Sequence, residues 1–131
     1  MKKEAIITIV IIVVIFLAEY TTKNYTKQVF SKVENELNLL KEEILDDKNA
    51  NNKEYLIKRT ESIKEDWEKD NELLSYYLEH DELEKVNTQI VLIKGYLESD
   101  TMQDSIPDLE ECIFILKHIQ DKEAFNLKNI F

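Results

Sequence analysis

His80 lies in the segment Glu79-His80-Asp81-Glu82-Leu83-Glu84, an imidazole set among carboxylates. Such a group can hold a divalent cation, with His80, Glu79 and Glu82 as ligands, or serve as a general base raised by its neighbours. The plainer reading is a turn between two helices. There His80 favours the C-terminal dipole of the first helix and Asp81 caps the second. No H-E-x-x-H spacing is present, and His118 belongs to another helix. Cys112 is the only thiol. A nucleophilic Cys needs a nearby base, and His118, six residues on, falls on a different helical face, so Cys112 reads as a small buried hydrophobe. Trp67, Tyr76 and Tyr77 could form an aromatic patch for a sugar or a protein. Trp67 continues the stripe of Ile63, so it is expected in the core, with Tyr76 the more exposed. Glu42-Glu43 and Asp46-Asp47 could attract Ca²⁺, but an EF-hand loop needs a glycine at its sharp turn and none is there. The expectation is a chain with no catalytic residues, no cofactor and no metal, and not an enzyme.

Composition narrows the field in the same direction. The 131 residues include one Gly and one Pro, where an average chain would carry about sixteen of the two together. A dinucleotide fingerprint, a P-loop or a nucleophile elbow cannot be built around Gly95 alone. Tight turns rich in Gly, Pro and Asn, which a β-fold would need, are missing. One Cys excludes an intramolecular disulfide. A net charge of −10 with a single arginine, Arg59, argues against nucleic acid as a partner, since phosphate contacts dominate that affinity.

The elements that must position any site are helical. Phe30, Val33, Leu37, Leu40 and Ile44 step 3, 4, 3, 4, a heptad seam, and Leu83, Val86, Ile90, Ile93 and Leu97 repeat it. Leu56, Ile63, Trp67, Leu74 and Leu78 form a third stripe; Leu109, Cys112, Leu116 and Ile119 form a fourth. Segments 46–52 and 99–104 are loops by composition. Ser105-Ile106-Pro107-Asp108 offers an N-cap and a first-turn proline, and Asp81 opens the preceding helix. The acids Glu54, Glu82, Glu84, Asp108, Glu110 and Glu111 are assigned to first turns, where the macrodipole favours negative charge. The run Glu61–Glu72 reads as a solvated face. Gly95, inside the third helix, is the anomaly, and a close approach of another helix would explain it. A shift of 53 residues places Phe30 on Leu83, Leu37 on Ile90, Leu56 on Leu109 and Ile63 on Leu116. The expected domain is therefore two helical hairpins packed together, a bundle of four antiparallel helices in an all-α protein.

The N-terminus is of a different kind. Lys2 and Lys3 precede an apolar run from Ala5 to Ala18, interrupted only by Thr8. Extended to Thr22, the helix reaches roughly 27 Å, near the hydrocarbon thickness of about 30 Å. A cleavable signal peptide has a similar charged start, but cutting after Ala18 would leave Phe16 at the −3 position, where a small residue is wanted. Residues 1–22 are expected to be an uncleaved signal anchor, a single transmembrane helix contacting the lipid bilayer through residues 5–22. Residues 23–131, which hold the whole of the −10, form the acidic helical domain. Lysines on the two sides nearly balance, and the short N-terminal tail favours an extracytoplasmic domain on the cell membrane.

The N-terminal Lys-Lys anchor, the central Trp67, Leu78-Glu79-His80-Asp81-Glu82-Leu83, and the terminal Lys117-His118-Ile119 and Asn129-Ile130-Phe131 together resemble domain-of-unknown-function family 4363. That is a family of small membrane-anchored helical proteins of spore-forming Gram-positive bacteria. The resemblance implies a single-pass, all-helical protein; Trp67, His80, Glu82 and Phe131 match its markers as fold signatures, and no catalytic residues come with it. The expected function is an interaction or scaffolding module of the bacterial cell envelope, with a protein partner in the membrane or envelope, or a second copy of itself. The alternatives are an extracytoplasmic ligand- or cation-sensing domain, or a hydrolase using His80 with Glu79 or Glu82.

Overall fold

The structure, a computed structural model, describes residues 1–46 and 52–128. Four helices follow one another: α1 (Lys2–Leu45), α2 (Lys53–Leu74), α3 (His80–Glu98) and α4 (Ser105–Lys128), with a single 3₁₀ turn at Met102–Asp104. Each helix packs against its two neighbours in a ring, α1 on α2 and α4, α3 on α2 and α4, while the backbones of the diagonal pairs stay apart and only their side chains share the core. This is the square cross-section of an up-down-up-down bundle.

All four apolar stripes point inward. Phe30, Val33, Leu37, Leu40 and Ile44 from α1 meet Leu83, Val86, Ile90, Ile93 and Leu97 from α3, all buried. Leu56, Ile63, Trp67 and Leu74 from α2, with Leu109, Cys112, Leu116 and Ile119 from α4, complete the core. Phe30 and Trp67 lie with ring centroids 6.0 Å apart, a tilted aromatic pair at its centre. Thr60 fills the step that the α2 stripe lacks. It is buried, and its hydroxyl donates to the Leu56 carbonyl at 2.9 Å, so no polar group is stranded there.

The 53-residue correspondence holds throughout α1 and α3, where every equivalent seam residue is buried. In α2 and α4 it holds at Leu56 with Leu109 and Ile63 with Leu116, all buried, but not elsewhere: buried Cys112 corresponds to the partly buried Arg59, and buried Trp67 to the partly buried Gln120.

The apolar N-terminal run and the first bundle helix are one object. α1 runs unbroken for 44 residues, about 66 Å. Its N-terminal part is the one helix among the described residues long and apolar enough to cross a membrane, and none of that apolar window is buried. The bundle therefore adds three helices to α1 rather than four beyond it. Thr8, the polar interruption, donates its hydroxyl to the Glu4 carbonyl at 2.9 Å, and Thr21 does the same to Leu17 at 2.8 Å. Both satisfy themselves inside the helix, as an apolar solvent requires.

Several local expectations are corrected. α3 starts at His80, with Glu79 as its N-cap residue making no side-chain capping bond, so Asp81 lies in the first turn and is not a cap. The Ser105 hydroxyl turns back to the Met102 carbonyl at 2.5 Å, closing the 3₁₀ turn rather than capping α4. Asn52 is the true side-chain cap, its amide oxygen accepting from the Tyr55 N–H at 3.3 Å. Of the acids assigned to first turns, Glu54, Glu82 and Asp108 are there, joined by Asp81; Glu84, Glu110 and Glu111 come later in their helices. A Cβ placed on Gly95 meets nothing within 4 Å, so no neighbouring helix approaches it closely.

Candidate functional site

His80 begins α3 at the positive end of its dipole, not at the C-terminal end of α2. It is exposed, and its Nε2 stands 4.0 Å from Glu84. Glu79 and Glu82, its proposed co-ligands, are paired with lysines instead. Lys122 on α4 lies 2.9 Å from Glu79 Oε1 and 3.9 Å from Glu82 Oε1, and Lys85 approaches Glu82 at 3.5 Å. The hydrogen bond from Lys122 to Glu79 pushes the lysine pKa upward. An ammonium thus meets the two carboxylates that a cation would need, while the imidazole stands beside Glu84. Among the described residues no three His, Cys, Asp or Glu side chains are arranged to hold a metal ion.

The other candidates are likewise separated. Cys112 is fully buried, and burial pushes its thiol up to about 12, which leaves almost no thiolate near neutral pH. His118 stacks on Phe114 at 6.3 Å on the outer face of α4. Glu43 accepts from the Tyr55 hydroxyl at 3.2 Å and lies 3.8 Å from Arg59 Nε. Asp47 lies outside the described residues. Trp67 is buried, and Tyr76 is 82% exposed.

Charged residues of the Glu61–Glu72 run do more than face water. Asp66 pairs with Lys32 of α1 at 3.0 Å, and Glu61 pairs with Lys94 of α3 at 3.0 Å. With Lys41–Glu110 at 2.7 Å, Lys117–Glu34 at 3.4 Å and Lys122–Glu79, every neighbouring helix pair carries at least one ionic bridge. Exposed pairs of this kind contribute about 0–1 kcal/mol each. Their effect is on which helix lies beside which.

The feature that local sequence reasoning missed is a polar collar where α1 leaves the apolar run. Tyr25 donates its hydroxyl to Asp70 Oδ1 of α2 at 3.0 Å. Burial, then the Asp70 carboxylate, pushes the Tyr25 phenol up to about 12. One residue on, the Thr26 and Tyr77 hydroxyls lie 2.8 Å apart, Thr26 donates to the Thr22 carbonyl at 2.8 Å, and Tyr77 reaches the same carbonyl at 3.3 Å. Tyr77 is also raised, first by burial and further by Glu123 of α4. Members of the collar are 45 to 55 positions apart in the chain. It ties the α2–α3 turn to α1 at the end of the apolar run.

Residues 20–130 match a family model described as a domain of unknown function, DUF4363. The chain belongs to that family. The DUF4363 match opens at Tyr20, at the base of the collar, and takes in the whole bundle. Of the family markers expected from the sequence, Trp67 is at the centre of the DUF4363 core, and His80 and Glu82 occupy the first turn of α3. Phe131 lies outside the described residues. No curated protein and no solved structure matches the chain.

Proposed function

We propose that this DUF4363 chain is a membrane-tethered binding module of the cell envelope, without an enzymatic activity of its own. The observation that carries the reading is the unbroken helix α1, wholly exposed and apolar at one end and built into a polar-surfaced bundle at the other. An apolar stretch exposed all round is stable only in lipid or under a partner that encloses it. Residues 5–22 cross the bilayer once, and the bundle stands on its outer side as a scaffold for another envelope protein or a second copy.

The ring of interhelical ion pairs supports a binding role. It uses up carboxylates, Glu79 and Glu82 among them, that cation sensing would require. A hydrolase built on His80 would need Glu79 or Glu82 against the imidazole, and both are drawn toward Lys122.

Two measurements test the proposal. Alkaline carbonate extraction of membranes should leave the full chain in the pellet, and protease added to intact cells should remove the bundle. Release into the carbonate supernatant would end the anchor reading, and full protection from protease would place the bundle inside. Crosslinking in intact membranes should trap the bundle with a partner or a second copy. A chain that stays monomeric and uncrosslinked across membrane preparations contradicts the binding role.

A further inference from the structure

Because α1 has no break between Lys2 and Leu45, the height of every bundle residue above the apolar run is fixed by helix rise. Residues 5–22 reach roughly 27 Å, so Thr22 lies at the edge of the hydrocarbon layer and Thr26, four residues on, is about 6 Å beyond it. The polar layer on each side of a bilayer is about 5–7 Å deep, so the rise from Thr22 to Thr26 falls within it. Tyr77 is held at this level by its contacts with the Thr22 carbonyl and the Thr26 hydroxyl. The turn that carries Tyr77 is therefore level with the lipid headgroups.

The side chains there suit that layer. Asp70 stands opposite Tyr25 on the antiparallel α2, so Leu73, a turn further along α2, is a turn nearer the apolar run. Leu73 is 54% exposed, Tyr76 82% and Tyr77 38%, and on α1 itself Tyr20 is 70% exposed. Three tyrosines and a leucine thus present apolar bodies at the end of the bundle from which the span emerges. Tyrosine, with an apolar ring and a hydrogen-bonding tip, is the residue that membrane interfaces enrich. Charge does not recruit this surface to anionic lipid, since Glu19, Asp70, Glu79 and Glu123 lie at that end beside Lys23 and Lys122. Partition of the apolar bodies is left as the attraction.

We propose that the α2–α3 turn is a second membrane contact, with Leu73, Tyr76 and Tyr77 seated beside Tyr20 in the headgroup layer of the leaflet that α1 leaves. The occupant of this surface is lipid, continuous with the lipid around the span. The proposal rests on the anchor reading above. It makes the bundle a rigid post, joined to the membrane by the span and by the turn, whose distal end faces outward.

The test uses the full chain in phosphatidylcholine vesicles. An environment-sensitive fluorophore is attached at Ser75→Cys, an exposed position of the turn that leaves Leu73, Tyr76 and Tyr77 in place. Parallel samples carry it at Val13→Cys in the span and at Val91→Cys on the flank of α3. Cys112 is buried and stays unlabelled in the folded protein. Headgroup nitroxide lipids should quench Ser75→Cys, acyl-chain nitroxides should quench Val13→Cys, and neither should quench Val91→Cys. Adding Leu73→Ser and Tyr76→Ser should reduce the quenching of Ser75→Cys, because the bundle is then free to tilt about the span and lift the turn, with circular dichroism unchanged.

If Val13→Cys is quenched and Ser75→Cys is not, the second contact is overturned and the anchor stands. If Val13→Cys is not quenched, the anchor reading itself fails. Headgroup quenching undiminished by Leu73→Ser with Tyr76→Ser overturns the assignment to these side chains. Self-quenching of Ser75→Cys labels at high protein-to-lipid ratio, without nitroxide quenching, would assign the surface to a second copy and overturn the lipid contact.

Discussion

The Tyr77 hydroxyl lies 2.8 Å from Thr26 Oγ1, joining the α2–α3 turn to α1 across 51 residues of chain. The contact is part-buried, and Thr26 is itself 6% exposed, so neither hydroxyl can recover its hydrogen bond fully from water. Intramolecular hydrogen bonds of this kind are worth about 1 kcal/mol. Tyr77→Phe and Thr26→Val should each destabilise the bundle by about 1 kcal/mol in urea unfolding. The two losses should add only in part, because both include the shared Thr26–Tyr77 contact, and a coupling of about 0.5–1 kcal/mol is expected in the double-mutant cycle. Strict additivity would mean that the two hydroxyls do not support each other.

Trp67 should be the position least tolerant of truncation. It is fully buried against Phe30, and Trp67→Ala should cost about 3–5 kcal/mol, enough to unfold most of a marginal domain. Trp67→Phe should cost much less. It keeps a ring beside Phe30 and removes an indole N–H that is buried with no hydrogen-bond partner among the described residues. The check is urea unfolding followed by circular dichroism, since Trp67 is the only tryptophan and its emission is lost in both variants.

What was legible in the sequence was whatever a helical period reports. The seam Phe30–Ile44, its equivalent Leu83–Leu97 and the stripes opening at Leu56 and Leu109 announce four helices and an inward face, because spacing alone fixes which side a residue occupies. The burial of Trp67 and Cys112 and the exposure of Tyr76 follow from the same arithmetic. The continuity of α1 was also written there, as the lack of any Gly or Pro between Ala18 and Phe30, although a change from apolar to amphipathic pattern invites a boundary. The collar was not legible. Tyr25 meets Asp70 and Thr26 meets Tyr77 only once the register of antiparallel helices is set, and no local pattern encodes that. His80 was misplaced for a narrower reason: one residue decides whether it ends α2 or begins α3, and the dipole argument reverses sign between the two.

Gly95 should be replaceable at a gain. It is exposed in the last turns of α3, has no positive φ, and a Cβ built on it meets nothing within 4 Å. The chain therefore bears the entropic cost of glycine in a helix without a packing return. Gly95→Ala should raise stability by about 0.5–1 kcal/mol, read as a higher urea midpoint with an unchanged slope. A loss of stability would reveal a contact on this face that the isolated chain does not display.

Stability should fall as pH rises above about 9, and Cys112 should account for part of the fall. Its thiol has an ordinary value of 9.0 and is pushed up to about 12 in the folded chain, first by burial and then by Glu111. Between those values the unfolded chain has released the proton and the folded chain keeps it. The native state then binds more protons, and unfolding free energy declines with rising pH. The contribution is fully present below pH 9 and is lost progressively toward pH 12. One proton corresponds to a slope of about 1.4 kcal/mol per pH unit. Tyr25, raised from 10.0 to about 12 by burial and by Asp70, acts in the same direction over the upper part of this window. Urea unfolding of the wild type at pH 8, 9 and 10 should give progressively lower midpoints. Cys112→Ala will start lower at pH 8, because it leaves a small cavity, but should show a shallower decline from pH 9 to 10. A decline as steep in Cys112→Ala as in the wild type would assign the alkaline weakness to the interhelical lysine pairs instead.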